Sequence, residues 1–209
     1  MGHETLFAMN DAPENIRRVT VYASSSSGLA REYYDAAERL GAVLGRAGLE
    51  IVYGGGGVGL MGAMAEGALA EGAHVHGVIP GFLNTVAHGH QNLPRLEVVS
   101  DMRERKERMI DGSNAVISLP GGSGTLEELF EVITLKRLGQ FLGPILLLNT
   151  NCYYGKLEAF MSNAVSERFM ADRHLEMWSL VDEPEDVLQA MWDAAEWSAD
   201  ARSFAAVRS

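Results

Sequence analysis

Residues 115–128 read AVISLPGGSGTLEE, and the succession of residue types in this stretch decides the fold class. Ala115 to Leu119 is an apolar, β-prone run of the length of a buried strand, and Pro120 ends it. Gly121, Gly122, Ser123, Gly124 and Thr125 then lead into a helical period over about 125–138. At ~100° per residue, Leu126, Leu129, Phe130 and Ile133 form its core stripe, with Glu127, Glu128 and Glu131 off it. Strand, glycine loop and helix in this order make one βα unit of a parallel sheet.

The same alternation extends in both directions. Apolar runs at Val19–Ala23, Leu49–Tyr53, Ala73–Ile79, Leu96–Val99 and Pro144–Leu148 read as further strands, and Met177–Val181 as an edge strand. Helical periods fall at about 29–47, 60–71, 101–112, 155–168 and 184–195. The expected architecture is α/β: a Rossmann-like, doubly wound, mainly parallel sheet with helices on both faces. One nucleotide-binding catalytic domain is expected over 17–195, after a flexible N-terminal segment 1–16 and before a C-terminal tail 196–209. Ligands of such sheets sit beyond the carboxyl ends of the strands, so the loops after Ala23, Tyr53 and Leu119 matter most.

Composition narrows the partners. The formal net charge of −11 opposes attachment to nucleic-acid phosphates or anionic lipid, both of which need a basic face. A local nest of backbone N–H groups can still hold a small anion. Cys152 is the only cysteine among 209 residues, which suits a reducing cytoplasm and leaves no cysteine zinc cluster. The first residues, MGHETLFAMNDAPEN, do not read as a secretory signal, and no stretch approaches the ~18 apolar residues of a membrane span.

The PGGSGT loop reads as a phosphate cradle: its glycines let successive N–H groups point inward, Ser123 and Thr125 add hydroxyls, and the helix dipole favours negative charge. No GxxxxGK segment followed by Ser or Thr exists, so one phosphate, not a triphosphate, is the expected cargo. TLEE (125–128) also has the spacing of a capping box, in which Thr125 and Glu128 would satisfy the helix N-terminus. A carboxylate just beyond a phosphate cradle could instead stabilise an oxocarbenium-like centre or activate water.

The earlier loop, IVYGGGGVGLMG (51–62), formally contains GxGxxG at Gly57, Gly59 and Gly62. It follows the second strand and not the first, and no carboxylate lies about 20 residues on, so the dinucleotide fingerprint fits badly. Its glycines serve tight packing, a ligand surface, or both. In DMRERKERMI (101–110), Arg105 and Lys106 lean toward the apolar side carrying Met102, Met109 and Ile110. Either they are snorkelling surface cations, or Arg105 offers its planar fork to a phosphate or hydroxyl. His74 with His76 and His88 with His90 raise a metal site, but HExxH and cysteine partners are missing and none is expected.

GGGGVGLMG, DMRERK and PGGSGTLEE, in this order and spacing, resemble the LOG family of cytokinin-activating phosphoribohydrolases, whose older label is "possible lysine decarboxylase". The resemblance runs from about Arg17 to Ala195. It implies hydrolysis of the N-glycosidic bond of adenosine 5′-monophosphate, N6-modified or not, to free base and ribose 5-phosphate, without a cofactor. It places the catalytic arginine and glutamate on Arg105 and Glu128, and substrate contacts on Lys106, Gly121, Gly122, Ser123, Gly124, Thr125 and Thr134. Ser25, Gly55, Gly56, Gly57, Met102 and Glu127 complete the candidate substrate-binding set. A homodimer or an assembly of dimers is also implied.

The chain departs from the family pattern at Ser24 (glycine), Arg103 (histidine) and Ser123 (an aromatic residue). At Ala87 a glutamate is often found. These changes bear on substrate preference and leave the cleavage pair intact. A pyridoxal phosphate decarboxylase would need a Schiff-base lysine, and Lys106, Lys136 and Lys156, the only lysines, lie in no recognised aldimine motif. The competing reading is a non-catalytic carrier of a nucleotide or of the molybdenum cofactor, which would keep the cradle and not require Arg105 with Glu128.

Overall fold

The computed structural model describes residues 12–84, 89–90 and 92–206. Ala87, His88 and the first eleven residues of the expected N-terminal segment lie outside them. Among the described residues, seven strands form one all-parallel sheet: β1 (Arg18–Tyr22), β2 (Glu50–Tyr53), β3 (Val75–Pro80), β4 (Arg95–Val99), β5 (Ala115–Ser118), β6 (Ile145–Leu148) and β7 (Ser179–Val181). Their spatial order is β4-β3-β2-β1-β5-β6-β7. The chain winds outward from β1 to β4, then crosses back to β5 on the other side of β1. The strand order therefore reverses between β1 and β5, and their carboxyl ends, paired at Tyr22 and Ser118, flank the crevice where such sheets take ligands.

The near-continuous apolar runs are explained by burial on both sheet faces. One layer packs α1 (Arg31–Arg46), α2 (Gly59–Ala70) and α6 (Val187–Asp193) onto Val19, Val21, Ile51, Ile117 and Leu146. The other packs α3 (Met102–Ile110), α4 (Ser123–Arg137) and α5 (Gly155–Ser166) onto Tyr22, Val52, Val116 and Leu147.

The C-terminal segment departs from the expected tail. Trp197 and Ala201 are buried in the second layer, Trp197 Nε1 donates to Lys136 O at 2.7 Å, and Arg137 Nε donates to Ala205 O at 2.6 Å. An indole with its N–H satisfied gains from burial, so the chain folds onto the end of α4 instead of trailing into solvent. Ile16, within the segment expected to be flexible, is likewise buried.

Candidate active site

The PGGSGT loop begins its helix earlier than the capping-box spacing suggests. Gly122 is the N-cap, in extended conformation, and its carbonyl accepts the first helical bond from Leu126 N at 3.0 Å. Thr125 is thus the third helical residue and Glu128 the sixth, and no side chain caps the helix. The capping box does not form. Thr125 is buried beneath the loop, where a Cβ on Gly121 would stand 2.1 Å from Thr125 Oγ1.

The N–H groups of Ser123, Gly124 and Thr125 therefore have no intrahelical acceptor, which is the usual condition of a first helical turn. Above them the space is open: nothing lies within 4 Å of a Cβ built on Gly122 or Gly124. Unpaired donors, the positive end of the helix dipole and free volume coincide here, the combination that holds one phosphate.

Glu128, released from capping, turns to α3. Arg105 Nη1 donates to Glu128 Oε1 at 2.7 Å, with both side chains buried. The same guanidinium donates from Nε to Val78 O at 3.1 Å and from Nη2 to Gly54 O at 3.3 Å. One planar fork thereby ties the ends of β2 and β3 to α4. Burial pushes the Glu128 carboxyl above its ordinary range, and Arg105 pulls the other way. Tyr22, at the end of β1, is buried beside these groups, and burial together with Glu128 raises its phenol.

The other candidates divide into two groups. Ser123 and Gly124 are exposed at the mouth of the cradle, while Ser25 is exposed in the loop after β1. Gly57 is exposed too, whereas Gly55 and Gly56 are buried within the earlier loop. Lys106 is drawn away: its Nζ pairs with Glu127 and lies 3.1 Å from Glu131 Oε2, fastening α3 to α4. Met102 stands exposed on the first turn of α3, one turn from Arg105. Thr134 points to solvent, its hydroxyl on Phe130 O at 2.7 Å.

Sequence reasoning missed the supports of this site. The Ser24 carbonyl accepts from Leu60 N and Met61 N at 2.9 and 3.2 Å, so the N-terminus of α2 is occupied by the β1 loop. Tyr153 Oη donates to Gly121 O at 2.6 Å and Tyr154 Oη to Leu119 O at 2.7 Å. The adjacent tyrosines were the available signal, but nothing local says which carbonyl they meet. His76 and His90 face different carboxylates, Glu97 and Glu66. Among the described residues no group of three or more His, Cys, Asp or Glu could hold a metal ion.

The family model described as possible lysine decarboxylase matches residues 61–191. A cytokinin riboside 5′-monophosphate phosphoribohydrolase of Arabidopsis thaliana is 41% identical over 163 residues, covering 78% of this chain and 75% of that protein. The chain belongs to the LOG family. A relative from Oryza sativa subsp. japonica, named "Probable cytokinin riboside 5′-monophosphate phosphoribohydrolase", is 38% identical over 190 residues, 91% of this chain and 76% of its own. Among solved structures, the molybdenum cofactor carrier protein of Chlamydomonas reinhardtii shares the fold at a TM-score of 0.66 and 18% identity, over 86% of this chain and 98% of that one.

The decarboxylase description in the LOG family's model can be set against the lysines. A pyridoxal phosphate aldimine needs an Nζ in the crevice. Lys106 is held by Glu127 and Glu131, Lys136 donates to Gly143 O at 2.7 Å, and Lys156 is exposed on α5. This set does not fit that cofactor.

Proposed function

We propose that the chain hydrolyses the N-glycosidic bond of an adenosine 5′-monophosphate, N6-modified or not, to free base and ribose 5-phosphate. The carrying observation is the buried Arg105–Glu128 pair at 2.7 Å, set about one and a half turns along α4 from the open N-terminus. The phosphate accepts from the first N–H groups of α4, and the ribose runs along the helix toward Glu128. As the bond from the anomeric carbon to the base nitrogen breaks, the electron pair leaves with the base and positive charge develops on the sugar. Glu128 stabilises that charge and takes a proton from the water that bonds to the anomeric carbon, while the base gains a proton from solvent. Arg105 opposes the upward pull of burial on the carboxyl and fixes its direction.

The reading extends to a homodimer or an assembly of dimers in a reducing cytoplasm. Phe160 and Phe169, 64% and 75% exposed, leave apolar surface that a second copy would cover, and the single cysteine, Cys152, is exposed. Light scattering on the purified protein checks the assembly.

Incubation with AMP and with isopentenyladenosine monophosphate, followed by quantification of base and ribose 5-phosphate, tests the activity. No release from either by folded protein would sink it. Glu128→Gln is expected to lose about 10²–10⁴-fold in kcat while AMP still protects the fold against heat. Near-normal turnover in that variant would remove Glu128 from the chemistry. Tight AMP retention by the wild type without turnover would favour the carrier reading.

A further inference from the structure

The loop between β6 and α5 reaches across 32 residues to the cradle. It is an unusual turn: Asn151 and Cys152 both adopt the left-handed conformation, at φ 55° and 56°. Asn149 pins it, accepting from Tyr154 N at 2.9 Å through Oδ1 and donating through Nδ2 to Asp182 Oδ1 at 2.9 Å. The turn thereby delivers two tyrosines to two carbonyls of the cradle strand end. Tyr154 is fully buried, and its hydroxyl meets Leu119 O and, at 2.9 Å, Ser118 Oγ. Tyr153 is 40% exposed, its ring edge-on to Tyr33 at 6.3 Å and to Tyr154 at 5.1 Å.

The two bonds act differently because the peptides differ. Leu119 O belongs to the peptide of Pro120, which has no N–H, so Tyr154 can only anchor the strand end. Gly121 O shares one rigid, planar peptide with the N–H of Gly122, and Gly122 faces open space. A hydroxyl donating to that oxygen fixes the peptide plane and polarises its N–H, since linked hydrogen bonds strengthen one another. Thr125 fills the space where a Gly121 side chain would stand.

We infer that Tyr153 is the positioning residue of the phosphate cradle: its hydroxyl, on Gly121 O, aims and strengthens the Gly122 N–H toward the phosphate of the substrate. The inference rests on reading this loop as a phosphate site. Tyr153→Phe deletes the hydroxyl and keeps the ring against Tyr33 and Tyr154.

The test compares wild type, Tyr153→Phe and Tyr154→Phe by calorimetric binding of ribose 5-phosphate, by AMP kinetics and by thermal unfolding. Tyr153→Phe is expected to weaken ribose 5-phosphate binding and raise KM for AMP about fivefold, the size of one hydrogen bond, with kcat within about twofold. Inhibition by adenosine, which lacks the phosphate, should be unchanged. Tyr154→Phe should lower the melting temperature more than it moves KM. Unchanged ribose 5-phosphate binding in Tyr153→Phe overturns the inference, as does equal weakening toward adenosine, which marks a general structural role. If the wild type itself fails to bind ribose 5-phosphate, the phosphate reading falls and the inference with it.

Discussion

The two glycine-rich loops look alike in sequence and are built for opposite ends. In the loop after β2 the glycines are filled from within: a Cβ on Gly54 would stand 1.9 Å from Arg105 Nη2, one on Gly59 2.6 Å from Ser25 C, and one on Gly62 2.5 Å from Gly57 O. Its helix, α2, is already capped by the Ser24 carbonyl. In the loop after β5 only Gly121 is closed in, by Thr125, while Gly122 and Gly124 meet nothing within 4 Å. The first loop makes room for the protein's own arginine and backbone. The second keeps room for something from outside. Glycine count alone does not mark a ligand site; what the missing side chains leave space for does.

That contrast can be broken most severely at Gly54. Gly54→Ala is expected to displace Arg105 and release Glu128, lowering kcat for AMP about 100-fold or more. Normal kinetics in this variant would show that the pair is not what the loop protects. Gly59→Ala, which adds a side chain at φ +65° against backbone, should destabilise the fold by about 2–3 kcal/mol, measured by denaturant unfolding. Gly122→Ala should leave stability within about 0.5 kcal/mol yet raise KM for AMP about tenfold, as the new methyl takes the phosphate's space.

Two finer predictions sharpen it. Burial raises the Glu128 carboxyl above its ordinary value of 4.5, so the ionised form is lost at a higher pH than for an exposed glutamate. The acid limb of kcat/KM should therefore lie above pH 4.5, and a limb below it would assign the general base elsewhere. The smallest effect is expected at Gly124, inside the first turn of α4. Gly124→Ala should stabilise the protein by about 0.5–1 kcal/mol while weakening ribose 5-phosphate binding.

Much of this was legible before the structure, because apolar runs and glycine breaks are local signals. The seven strands fall where their β-prone residues do, and the parallel order follows from alternation with helices. Arg105 and Glu128 could be singled out through the family motifs, but not paired by spacing, since their contact spans 23 residues. The helix start was misread because Thr and Glu three apart imitate a cap. Gly122 supplies the first acceptor instead, and that shift of three residues moves Glu128 from the helix end to a buried position facing Arg105. Lys106 was expected at the substrate, and Glu127 and Glu131 claim it. The packing of Trp197 and the reach of Tyr153 depend on tertiary contacts that no local pattern encodes.

The direct test of the contrast is the amide NMR spectrum of the isotope-labelled protein titrated with ribose 5-phosphate. Saturable shifts are expected, largest at Gly122, Ser123, Gly124 and Thr125 and small at Gly57 and Gly59. Large shifts confined to Gly57 and Gly59, with the α4 amides unmoved, would contradict it.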